Sequence, residues 1–152
     1  MSTIKHSVSF EIAQRIDVLF PLFGPEGEKA WVPGWDYINV MGSKELHEDY
    51  VFMTKNHSHA FTDAIWIVKE YDPSKYRVQY YKVEPEKKVG IIEVKCLSQD
   101  NYLTKVQVSY EYIGISEEGN QFVSEFTADN FHLFISEWEI LLLKYFETVA
   151  GS

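Results

Sequence analysis

The strongest constraint in this sequence lies near its C-terminal end. Phe131, Phe134, Ile135, Trp138, Leu141, Leu142 and Tyr145 recur at steps of three and four. That spacing keeps one face of an α-helix apolar for about four turns. It predicts a helix near 127–148, capped at its start by Thr127 or Asp129 and ended at Gly151. A helix of about 20 residues spans about 30 Å, so it needs an apolar partner surface of similar length. Leu133, Ile140 and Leu143 widen the stripe, which implies cover on more than one side of the helix.

The preceding residues supply that surface. In Thr3–Glu11, Ile4, His6, Val8 and Phe10 share one face and Lys5, Ser7, Ser9 and Glu11 share the other, the period-two signature of a half-buried strand. A short helix follows over Ala13–Phe23, and a second helical turn over Glu26–Ala30, with Pro25 suited to its start. Beyond the turn Trp31-Val-Pro-Gly-Trp35, the pattern predicts strands at Trp35–Met41, Tyr50–Thr54, Ala64–Tyr71, Tyr76–Val83, Val89–Leu97 and Tyr102–Ile113. Turn-forming residues separate the last four, at 71–75, 84–88 and 98–101, so consecutive strands are expected to be antiparallel. Gly90, Ile92, Val94 and Cys96 form one dry row; Tyr102, Thr104, Val106, Val108, Tyr110 and Tyr112 form another. The expected fold class is α+β: a curved antiparallel sheet of about seven strands around the long C-terminal helix, with two short helices after the first strand. With 152 residues and no linker or repeat, the chain reads as a single domain, 1–152.

Composition narrows the function. The net charge of −9 argues against nucleic acid and against an anionic membrane surface. The apolar run 131–146 is broken by Ser136, Glu137, Glu139 and Lys144, so no membrane insertion is expected. One cysteine, Cys96, allows no internal disulfide and fits a reducing, cytoplasmic setting; on the dry face of its strand it reads as an inert core thiol. The aromatic share of 16% exceeds what a small solid core readily packs, which leaves two readings open: side chains lining a cavity, or packing residues with a polar tip near water.

The order strand, two short helices, strands, long helix resembles that of the START-like (SRPBCC) superfamily. The likeness extends to Phe20-Pro-Leu-Phe-Gly-Pro-Glu-Gly-Glu28, Trp31-Val-Pro-Gly-Trp35, Val51-Phe-Met-Thr54, Trp66-Ile-Val-Lys-Glu-Tyr-Asp-Pro73 and the helix ending Trp138-Glu139 with Leu142 and Tyr145. That superfamily includes polyketide cyclases and dehydratases, lipid-transfer domains, pollen-allergen-type carriers and activators of a heat-shock ATPase. The resemblance implies a helix-grip fold, no cofactor, and a cavity between sheet and C-terminal helix for an apolar or amphipathic small molecule such as a lipid, isoprenoid or polyketide-like compound. It leaves two alternatives open: a cyclase or dehydratase-type enzyme, or a protein-interaction module with a protein partner or a homodimer.

If the dry face looks at the helix, the expected ligand-binding residues from the sheet are His6, Val8, Tyr80, Ile92, Val94, Val106, Val108, Tyr110 and Tyr112. From the helix they are Phe131, Phe134, Ile135 and Trp138. His6, His132 and the tyrosines are the candidate acid–base groups, though no nucleophile–base pair is visible. His57 and His59 would share a strand face, with His47, Glu48 and Asp49 nearby, but no further ligand stands at a recognised spacing and no metal site is expected. Trp31 and Trp35 read as a plug anchoring the short helices to the sheet, and Glu117-Glu118 as a solvated turn.

Overall fold

A computed structural model describes residues 2–55 and 63–150 of the chain. Its sheet has six strands: β1 (Thr3–Ile12), β2 (Val51–Thr54), β3 (Ala64–Asp72), β4 (Arg77–Glu84), β5 (Lys88–Asp100) and β6 (Leu103–Gly114). They lie in the order β1-β6-β5-β4-β3-β2, and every pairing is antiparallel. After β1 come a one-turn helix, α1 (Ile16–Leu19), and two 3-10 turns at Phe20–Phe23 and Gly27–Ala30. The chain ends in α2 (Glu117–Glu125) and α3 (Ala128–Ala150).

The inner face of the curved sheet follows the expected alternation. Ile92, Val94 and Cys96 of β5 and Val106, Val108, Tyr110 and Tyr112 of β6 are buried, and α3 lays Phe131, Ile135 and Leu142 against that core. Thr127 is the cap of α3: its Oγ1 accepts from the Asn130 N–H at 3.2 Å, while Asp129 sits in the first turn. The expected end at Gly151, and the His57/His59 pair, lie outside the described residues.

Four expectations need correction. Trp35–Met41 is not a strand; Ile38 makes one isolated bridge to Met53. Local side-chain bonds compete with a ladder here: Asp36 Oδ1 accepts from Tyr37 N and Asn39 Oδ1 accepts from Gly42 N, and Gly34 and Gly42 hold φ of +71° and +77°. Glu117-Glu118 opens a helix rather than a turn. Ser116 Oγ accepts from Gly119 N at 3.1 Å, and both glutamates suit the positive end of α2. Tyr102 belongs to the β5–β6 turn and is 70% exposed. Leu133, Ile140 and Leu143 do not widen the buried stripe of α3; they are 67%, 63% and 49% exposed, because the sheet covers one side of the helix only.

Candidate functional site

Strand register arranges the inner face in transverse rows. His6, Tyr110, Ile92, Tyr80 and Val68 stand side by side across β1, β6, β5, β4 and β3. Val8, Val108, Val94 and Val78 form the next row, and Val106 lies one row beyond. On the other side run Ile4, Tyr112, Gly90, Lys82, Trp66 and Phe52.

The expected sheet and helix residues are therefore brought together, and where they meet they touch. The Tyr110 ring lies 5.6 Å from Phe131, 5.6 Å from Phe134 and 6.2 Å from Trp138. Trp138 also meets Phe23 and Trp31. His6 is held by its surroundings: its Nε2 donates to the Phe126 carbonyl at 2.8 Å, and its ring stacks on Phe131 at 5.8 Å. His132 sits on the exposed side of α3.

Open space lies toward the other end of the sheet. A pocket of about 240 Å³ is lined by Val32, Pro33, Gly34, Trp35, Asp36, Thr54, Lys55, Ala64, Trp66, Lys82 and Glu84, and by none of the thirteen expected residues. Its roof is the Trp31–Trp35 segment, fastened at both indoles: Trp31 Nε1 donates to the Leu22 carbonyl at 2.7 Å, and Trp35 Nε1 to the Pro25 carbonyl at 2.8 Å. Trp31 is the buried plug that the sequence suggests, whereas Trp35 borders the opening.

Polar groups run inward from this mouth along the sheet. Glu84 and Lys88 come first, both buried, with Nζ and Oε2 2.9 Å apart. The Lys88 ammonium also lies 3.8 Å from the centre of the Phe122 ring. Next is Lys82, whose ammonium lies 5.2 Å from the Trp66 ring centre. Burial holds its pKa below the ordinary lysine range, helped by the Lys88 charge and opposed by Glu84. Across Gly90 stands Tyr112, its phenol raised by burial and then by Glu84. A methyl group at Gly90 would meet Tyr112 Cε1 at 3.0 Å.

Beyond them are Tyr80 and Tyr110, both buried, and Glu28, a half-buried residue. Glu28 comes from the second 3-10 turn, which sits tight on the first: a side chain at Gly27 would run into the Pro21 carbonyl oxygen and lie 2.7 Å from Leu22 Cα. Desolvation pushes the Glu28 carboxyl up to about 8. Tyr80 and Tyr110 are both raised by burial first, and the Glu28 charge adds to each, so the carboxyl and the two phenols share one environment. Tyr80 Oη donates to the Phe23 carbonyl at 3.0 Å.

No protein-family model matches the sequence, and no curated protein sequence matches it. Solved structures do. Ara h 8.0201 superposes with a TM-score of 0.68 at 13% identity, covering 97% of each chain. Norcoclaurine synthase from Thalictrum flavum, solved in complex with dopamine and hydroxybenzaldehyde, gives 0.62 at 12% identity over 94% of this chain and 88% of its own. Protein MLL2253 from Mesorhizobium loti gives 0.62 at 11% identity over 93% and 98%. The fold is START-like.

Within that START-like frame, sequence reasoning missed Glu28, Lys82, Glu84 and Lys88. The signal for Lys82 and Glu84 was available: they continue the alternation of Val78 and Tyr80, so the same face must carry them. Reading 84–88 only as the turn between two strands hid the Glu84–Lys88 pair. Glu28 had no period to betray it, because a four-residue 3-10 turn shows none. The thiol of Cys96 is buried and pushed up to about 12, an inert state. No described helix is long and apolar enough to cross a membrane.

Proposed function

We propose that the chain binds an apolar or amphipathic small molecule on the inner face of its sheet, entering beneath Trp35 and over Trp66 and Lys82. One observation carries this reading: polar groups run from the pocket mouth inward, through Lys82 and Tyr112, to Tyr80, Tyr110 and Glu28. A core selected only for stability would exclude them, since each desolvated polar group costs free energy without a partner. A binding site keeps them to orient a guest. Of the expected residues, Tyr80, Tyr110 and Tyr112 lie on the same face beyond the pocket lining, and all three are buried. His6, Val8, Ile92, Val94, Val106, Val108, Phe131, Ile135 and Trp138 form the wall behind it, with Phe134 exposed at its edge against Tyr110. The complex of norcoclaurine synthase with two small aromatic compounds supports the reading by analogy of fold. Native mass spectrometry of protein purified from its own host tests it. We expect a discrete small-molecule adduct lost on denaturation; a bare polypeptide mass together with no uptake of a fluorescent apolar probe refutes it.

Glu28 favours acid–base catalysis as a second reading. A carboxyl with a pKa of about 8 is mostly protonated at neutral pH and titrates near it, as suits a group that donates and recovers a proton. Once a co-purified compound is identified, Glu28→Gln should keep binding and lose turnover. Unchanged turnover removes the catalytic reading and leaves binding intact.

A further inference from the structure

Lys82 is the one inner charge of the pocket that the described residues leave without an ion pair. Glu84 is engaged by Lys88 at 2.9 Å. Asp36 and Lys55 are exposed at the rim and opposite in sign. The Lys82 ammonium makes no hydrogen bond or salt bridge among the described residues; its neighbour is the Trp66 ring, 5.2 Å away. That ring is held still. Its Nε1 donates to Thr54 Oγ1 at 2.9 Å, and Phe52 stacks on it at 5.5 Å with planes 11° apart. On the Lys82 side of the sheet, Gly90 contributes no side chain between Lys82 and Tyr112.

From this geometry we infer that the pocket selects ring-bearing apolar molecules that carry one anionic group, such as aromatic carboxylates, with Lys82 pairing the anion. The inference deepens the small-molecule reading and rests on it. A cation on an apolar, partly desolvated wall is unfavourable when unpaired, and a guest anion relieves that cost. Trp66 and Trp35 supply flat apolar surface for the rings. The local sign opposes that of the whole chain, whose net charge is −9, so attraction of an anion here comes from Lys82 and not from the general surface field.

Two fluorescent probes with one ring skeleton test this: anilinonaphthalene sulfonate, which is anionic, and phenylnaphthylamine, which is neutral. We expect the sulfonate to bind about tenfold tighter, a difference of about 1.4 kcal/mol. Lys82→Met should remove that preference while leaving the neutral probe within about twofold. Lys82→Arg should keep the preference, and Lys75→Gln, at an exposed lysine outside the pocket, should leave it intact. Circular dichroism on each variant confirms folding, and Lys82→Arg carries the test if Lys82→Met fails to fold. Equal affinity of the two probes, or a preference that survives Lys82→Met or vanishes with Lys75→Gln, overturns the inference while binding stands. Failure of both probes to bind overturns the small-molecule reading itself.

Discussion

Replacing Glu28 by Gln should make the protein more stable, and by an amount that grows with pH. The carboxyl titrates near 4.5 when unfolded and at about 8 in the folded chain, because folding strips it of water. Between those values the unfolded chain has released the proton and the folded chain still holds it, so stability falls as pH rises. The stabilising share is complete below about pH 4.5 and is lost by about pH 8, after which the curve is flat. Each pH unit in that window is worth about 1.4 kcal/mol, which sets a ceiling of about 5 kcal/mol over the full span. Relaxation and water entry reduce it, and about 2–3 kcal/mol between pH 5 and 8 is the working expectation. Glutamine is nearly isosteric and cannot ionise, so the variant loses this slope. With a urea dependence of about 2 kcal/mol per molar, the two midpoints should differ by at least about 1 M more at pH 8 than at pH 5. Urea titrations of both proteins across that range make the measurement. Midpoints that run parallel within the error of the titrations would show that Glu28 ionises freely in water, and would refute both its burial and its place in the site.

Two further predictions concern the frame. Lys88→Met leaves the buried Glu84 without its partner and should cost about 3–5 kcal/mol in urea unfolding, whereas adding Glu84→Gln should recover most of it; a single variant within about 1 kcal/mol of the parent would show the pair to be solvated. Gly119→Ala, although alanine favours helix by about 1 kcal/mol, should destabilise by about 1–3 kcal/mol because its methyl group would collide with the Lys87 carbonyl oxygen beneath α2; a gain in stability would refute that close approach.

Residues whose placement follows from local periodicity were legible from the sequence. The alternation in β1, β5 and β6 and the three-and-four spacing of α3 follow from backbone geometry alone, so their buried faces could be read directly. Where two local signals competed, the reading failed. Trp35–Met41 carries strand-forming residues, yet the Asp36 carboxylate and the Asn39 carboxamide oxygen accept from the backbone N–H groups of Tyr37 and Gly42. Ser116-Glu117-Glu118 is an N-cap followed by an acidic first turn, a helix start that its polarity disguised.

The sequence by itself determined the sheet-and-helix frame, the dry face of each long strand, and the membership of Tyr80, Tyr110 and Tyr112 on that face. Only the tertiary structure decided where the space is. Alternation says which side of a strand a residue takes, but not which stretch of that side the long helix reaches. α3 reaches the rows of Tyr110 and Val108 and fills them with Phe131, Phe134 and Trp138. The Lys82 and Glu84 end stays open under Trp35. Glu28 acts on the inner face through its charge, felt by Tyr80 and Tyr110, and Lys88 through its contact with the Phe122 ring, partners distant in sequence. Such contacts depend on how far one element lies over another, which no local period records.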